Sequence, residues 1–252
     1  TVNSLIDALG KTKPLSDDFR LAGRYLAVAR PFVPMVERLT GQLNGSGRLS
    51  GTLLAPQVNG SLMLSGGEVS GAELPASLED LSLQALIAGE QVQLNGSWRS
   101  GDAGRGQLSG NLTWGQALGM DLRLQGQQLP VTVEPYATLE VAPDLALRLV
   151  DDKLAVTGKV LVPKGKITVR ELPPSTVKVS DDTVIVGHQT EEGKPPMAMA
   201  MDIDVEVGQD KLSFSGFGLT ANLLGHVHIG DNLDTRGELS LADGRYRAYG
   251  QR

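Results

Sequence analysis

The chain contains no cysteine. That excludes disulfide staples, thiolate nucleophiles and cysteine-ligated zinc. A thiol-free chain fits an oxidising compartment such as a periplasm, though many cytosolic proteins also lack thiols. Aromatic residues make up only 4%, which is lean for the core of a globular enzyme. No apolar run approaches the ~20 residues of a membrane-spanning helix. Positive charge is never gathered into a block. With 23 Lys and Arg against 29 Asp and Glu the net charge is −6, so no nucleic-acid footprint is present. The same acidic balance argues against direct adsorption to anionic lipid headgroups. The chain opens at Thr1 with neither Met nor a signal peptide, and it is expected to be a segment of something longer.

What the chain does have is glycine and alternation. Glycine numbers 31 in 252 residues, well above the usual ~7%, and 40% of residues are apolar. Residues 1–40 read as an irregular lead-in. Asp18 to Gly23 alternates as a possible first strand, and Tyr25 to Leu39 suggests short helical turns broken by Pro31 and Pro34. From about residue 41 to 252 a period of two takes over. One apolar face is built from Val58, Leu62 and Leu64; Leu81, Leu83 and Ile87; Val92, Leu94 and Trp98; and Leu108, Leu112 and Trp114. It continues through Leu122 and Leu124, Leu147, Val156, Val160, Val162 and Ile167, then Met197, Met199, Met201, Ile203 and Val205, and ends with Leu239 and Leu241. The intervening residues are polar, so one face of each strand is dry and the other wet. The adaptable Met row suits a shifting apolar ligand, although it equally suits an ordinary core.

Short turn signals such as Ser65-Gly66-Gly67, Asp102-Ala103-Gly104 and Asp151-Asp152 separate the runs. They predict antiparallel neighbours, with no crossover long enough for a parallel pair. Residues 172–196 read as a longer insert. The fold class is therefore all-β: an elongated, curved, mainly antiparallel sheet over 41–252. About 14 strands at ~4.8 Å give a width of roughly 65 Å.

Glycine recurs within the apolar rows, at Gly60, Gly96, Gly110, Gly158 and Gly237. Such glycines mark either bulges in weak strands or a crease along which the sheet folds lengthwise into a trough. If they form a crease, the apolar rows line a groove. A closed two-sheet sandwich would show the same alternation.

Chemistry-bearing clusters are sparse. His226 and His228 share a strand face opposite Val227 and Ile229 and lack further ligands for a metal. Asp181-Asp182 and Glu191-Glu192 are adjacent, so on strands they would point to opposite faces, unlike a glycosidase pair. Asp202, Asp204 and Glu206 line the face opposite the Met row, where a polar outer surface accounts for them. Gly165-Lys166 lacks the glycine spacing of a phosphate loop. Catalytic residues, metals and cofactors are thus not expected. Tyr246 and Tyr249, in the C-terminal run GRYRAYG, are candidates for docking a partner if that strand has a free edge.

Longer segments resemble the TamB family. GTLLAPQVNGSLMLSGGEV (51–69), LEVAPDLALRL (139–149), GKVLVPKGKITVRELPPSTVKVSDDTVIV (158–186) and GELSLADGRYRAYGQR (237–252) match its C-terminal region. Family members continue past the YGQ segment. The resemblance implies a periplasmic β-taco groove, anchored in the inner membrane by a helix outside this sequence. It implies a non-catalytic role in passing phospholipid acyl chains towards the outer membrane. The alternative is a protein–protein module that assists outer-membrane protein assembly with an Omp85-type barrel, TamA, by strand addition. A structural β-rich stalk is a third reading.

Overall fold

An apolar residue at every second position demands an extended chain, because only a strand returns residues i, i+2 and i+4 to one face. The computed structural model describes residues 15–25, 38–52, 55–71, 74, 76–115, 117–169 and 198–247. Within them the chain forms thirteen strands. These are β1 (Leu15–Tyr25), β2 (Arg38–Thr52), β3 (Ala55–Ser70), β4 (Leu78–Gly89), β5 (Gln91–Ser100), β6 (Gly104–Thr113) and β7 (Gly119–Gln127). They continue with β8 (Leu129–Val133), β9 (Ala137–Val150), β10 (Lys153–Val169), β11 (Ala198–Gly216), β12 (Leu219–Ile229) and β13 (Thr235–Tyr246). The expected helical turns fall almost wholly outside the described residues, as do the insert 172–196, Met197 and Tyr249.

All thirteen strands belong to one sheet, wide, open and curved as a groove. Strand β8 continues the line of β7. Met120–Gln125 pairs with one half of β9 and Leu129–Val133 with the other. The sheet is therefore twelve strands across, roughly 53 Å wide at ~4.8 Å spacing, narrower than the expected 65 Å. Every pairing is antiparallel except β10–β11, which is parallel from Lys153↔Ala198 to Val169↔Gly216. That corrects the expectation of no crossover. The 28 residues 170–197 are chain enough for the return that a parallel neighbour requires.

The bend comes from register breaks that line up across the sheet. The β2–β3 ladder slips at Gly41 and the β3–β4 ladder at Ser65-Gly66. The β4–β5 ladder slips at Asp80-Leu81. The line continues through Gln128, which separates β7 from β8 opposite β9. It then crosses Val162-Pro163 of β10, Gly208–Asp210 of β11 and Asp243-Gly244 of β13. An inserted residue bends and twists its strand. Inserted at one level in successive strands, it folds the sheet into two unequal walls. Strands β5 and β6 close their hairpin at Ser100↔Gly104, just past this level, and so need no break.

A strand that carries an extra residue at the break also reverses its side-chain parity. Val160 and Val162 point inward at even positions, whereas Ile167 and Val169 point inward at odd ones. In β11 the inner row changes from Met199–Val207, odd, to Leu212 and Phe214, even. Without the extra residues the apolar row would leave the inner face beyond the bend.

The five glycines expected to form a crease lie within the ladders, not on this line. Gly96 and Gly158 fall on one rank, through Leu108, Leu124 and Leu145, but Gly60, Gly110 and Gly237 fall on others. A single crease through all five is not the arrangement found. Their reasons are local instead, as at Gly110 and Gly158. Gly110 has φ +145° and Gly158 φ +137°, a region that side chains of L-residues rarely adopt. A Cβ at Gly110 would meet the carbonyl oxygen of Asp121 on β7, and one at Gly158 that of Asp144 on β9.

The outer face carries cross-strand ion pairs. Arg123 holds Asp144 through two hydrogen bonds of 2.9 and 2.8 Å, and Arg148 reaches Asp121 at 3.2 Å. Lys159 lies between Asp144 and Asp204 in the register, and His228 Nδ1 sits 2.9 Å from Asp204 Oδ1. These pairs are exposed and individually weak, but they are satisfied in only one register. Hydrogen bonds from Arg123 hold the Asp144 carboxyl below its ordinary pKa, and His228 does the same for Asp204.

Two predictions follow from the ladders. Gly110→Ala forces an unfavourable φ and a backbone clash, and it lowers the unfolding free energy by ~1–3 kcal/mol in urea titration. Gly96→Ala meets only the flexible end of Leu83 and changes stability by less than ~1 kcal/mol. In the second, the depressed Asp144 pKa adds stability that is present above the ordinary aspartate value of about 4 and is lost as pH falls through the folded value. Urea midpoints measured down the acid limb therefore fall less steeply for Arg123→Gln than for the parent chain.

Candidate functional site

A strand pattern with one dry face must cover that face with something. Here nothing among the described residues forms a second layer over it, because all strands lie in one sheet. The inner face is therefore a long apolar channel between two walls. Its floor follows the line of register breaks. Leu64, Leu81, Leu129, Val162, Leu212 and Ala221 are all buried, with Leu212 at 1% exposure. Ser100 is the one buried polar side chain of the described residues, and its hydroxyl donates to the Ser77 carbonyl at 2.6 Å.

Of the residues read from the sequence as lining, Leu64, Leu81 and Val162 lie on the floor. Leu122 and Ile203 are also buried, higher on the longer wall. Val58, Leu62, Leu83, Ile87, Val92, Leu94, Trp98, Leu108 and Leu112 are half-buried along the same face, as is Trp114 beyond the end of β6. Leu124, Leu147, Val156, Val160, Met201 and Val205 are half-buried likewise, and Ile167 is half-buried on the shorter wall. Met199, Leu239 and Leu241 are exposed, at 52%, 52% and 50%. In a sandwich core these rows would be fully covered, so their half-exposure is the geometry of an open channel. The Trp98 indole lies across Gly106 of the next strand, where any side chain would displace it.

Sequence reasoning missed Leu129, Leu212 and Ala221. All three belong to short stretches beside a register break, where alternation is interrupted and no longer points to the inner face. Leu149, in the alternating row Leu145-Leu147-Leu149 of the sequence, is buried.

The polar candidates lie outside the channel. His226 is exposed, and His228 is held by Asp204, with Asp202 at 3.8 Å from its Nε2. Among the described residues no three His, Cys, Asp or Glu side chains are grouped as a metal site. Tyr246 ends β13 at 72% exposure, on the strand that is bonded to β12 alone among the described residues. No described helix is long and apolar enough to cross a membrane.

What the arrangement can do chemically is hold an elongated apolar molecule without fixing it at one place. Apolar contacts are non-directional, and the inner rows repeat along the twelve strands.

Comparison with known proteins agrees with the segments noted in the sequence. The TamB C-terminal domain matches residues 92–252, from β5 to the end of the chain. The translocation and assembly module subunit TamB of Haemophilus influenzae is 23% identical over 263 residues, an alignment taking in 98% of this chain and 20% of that protein. The chain thus spans about a fifth of the length of that curated relative. No solved structure matches it. With well over half its length covered by that domain, and with the open all-β groove that the resemblance implied, the chain belongs to the TamB family.

Proposed function

We propose that the chain is a lipid-binding segment of a translocation and assembly module in the Gram-negative cell envelope, and that acyl chains lie along its inner face. The observation that carries this reading is the apolar face running from β2 to β13 of a single sheet, which no other described residues cover. Burial of an acyl chain there gains about 0.8 kcal/mol per CH₂. The contacts are similar from one strand to the next, so a bound chain slides at little cost. The reading assigns no catalytic residue and no cofactor.

A second reading has its own observation. Strand β13 has one free edge among the described residues, and the name of the Haemophilus influenzae relative speaks of assembly. A partner strand, such as one from an Omp85-type barrel, would add to that edge by backbone hydrogen bonding.

The test places charge where it is tolerated by the fold. Ile203 is buried, so a carboxylate there would unfold the sheet. Val160 is half-buried and Leu239 is exposed. Val160→Asp with Leu239→Asp is expected to keep the circular dichroism of the parent and to lower co-purifying phospholipid, measured by mass spectrometry, by about tenfold or more. Unchanged lipid content in a folded variant would sink the lipid reading and favour strand addition.

A further inference from the structure

The two rims of the groove differ in chemistry. The rim of the longer wall is formed by the turns at Glu90, Asp151-Asp152 and Asp231–Asp234. Its exposed apolar residues, Leu118, Val150 and Leu233, are aliphatic. Its arginine, Arg236, is neutralised by Asp234 at 2.7 Å. The rim of the shorter wall, from β8 to β13, is aromatic and basic. The hairpin tips present Tyr136 and Phe217, 41% and 57% exposed, and Tyr246 lies beside Gly218 at the end of β13. In a chain with only 4% aromatics, three of them meet along this one edge.

Cations accompany them. Lys166 lines a shallow cleft of about 360 Å³ with Tyr136, Thr138 and Thr168. Arg245 and Arg247 flank Tyr246, and the Arg247 amide donates to the Gly218 carbonyl at 2.8 Å, which ties this segment to the Phe217 tip. None of the three cations makes an ion pair among the described residues, whereas Lys164, two residues before Lys166, is paired with Glu140. Of the acids nearby, Glu134 belongs to the Lys166 cleft and Asp243 accepts from Asn222 at 3.1 Å.

Aromatic rings with free cations beside them match the headgroup level of an anionic lipid layer. Rings partition to the boundary between apolar and polar zones, and each arginine near an anionic surface adds about fivefold to partitioning. The net charge of −6 argued against such adsorption, but it is a whole-chain balance, and the acids Glu90, Asp151, Asp152, Asp231 and Asp234 stand at the turns of the opposite rim. We propose that the rim carrying Tyr136, Lys166, Phe217, Arg245, Tyr246 and Arg247 is a docking edge for an anionic phospholipid surface. The edge orients the groove with its acidic rim away from the headgroups. The proposal concerns the rim and stands apart from what fills the channel.

The test is flotation of the 252-residue chain with vesicles of phosphatidylcholine, with and without phosphatidylglycerol. The chain is expected to float with the anionic vesicles, less so at high salt, and not with neutral ones. Arg245→Ser with Arg247→Ser lowers partitioning by about twenty-fivefold. Asp151→Asn with Asp152→Asn, on the other rim, does not lower it. Val160→Asp with Leu239→Asp still floats even when it has lost its co-purifying lipid, which separates failure of the rim from failure of the groove. Equal flotation with neutral vesicles, or an arginine variant that binds as the parent does, would overturn the proposal.

Discussion

A strand turns its side chains over at every residue, so a long strand that bends sharply must either lose its apolar face or gain a residue at the bend. This sheet gains the residue. The insertions at Ser65-Gly66, Asp80-Leu81, Gln128, Val162-Pro163, Gly208–Asp210 and Asp243-Gly244 lie side by side. Together they turn a flat sheet into two walls that share one apolar interior. Six of the nine buried apolar residues lie along that line, where the walls meet, with Leu212 and Val162 among them. Away from it the walls diverge and the same apolar rows become half-exposed.

A single-layer sheet cannot shield its dry face by itself, and most sheets resolve this with a second sheet or a layer of helices. Among the described residues the shielding is partial, and the remaining apolar surface is a standing attraction for a molecule with a long apolar body. The outer face has the opposite task. Its ion pairs, such as Arg123 with Asp144 and Arg148 with Asp121, contribute little energy singly. They penalise any slip of register that would carry the inner rows to the outside.

Much of this was legible from alternation alone. The rows Val92-Leu94-Trp98 and Leu108-Leu112 identify strands, a shared face and an all-β fold, because the period of two has one structural meaning. The bend was less legible. Gly110 and Gly158 interrupt apolar rows and drew attention, but their glycine is required by a positive φ and a close neighbouring carbonyl, not by a fold line. The true line is written as changes of parity: Val160-Val162 against Ile167-Val169, and Ile203-Val205 against Leu212-Phe214. Such a change looks like noise in one strand. It becomes a signal only when the pairing register sets the strands side by side. The parallel β10–β11 pair was hidden for a related reason, since the 28 residues between those strands carry no helical pattern to announce a crossover.

The central claim is that the bend creates an apolar channel occupied by acyl chains. Both tryptophans, Trp98 and Trp114, are placed along its inner face, so they report on its contents directly. The decisive measurement is tryptophan fluorescence of the delipidated chain on addition of phospholipid brominated along its acyl chains. The account predicts saturable quenching of both residues, seen separately in Trp98→Phe and Trp114→Phe, with no quenching by a soluble brominated headgroup analogue. Tryptophans that remain unquenched while lipid binds would place the acyl chains elsewhere and contradict it.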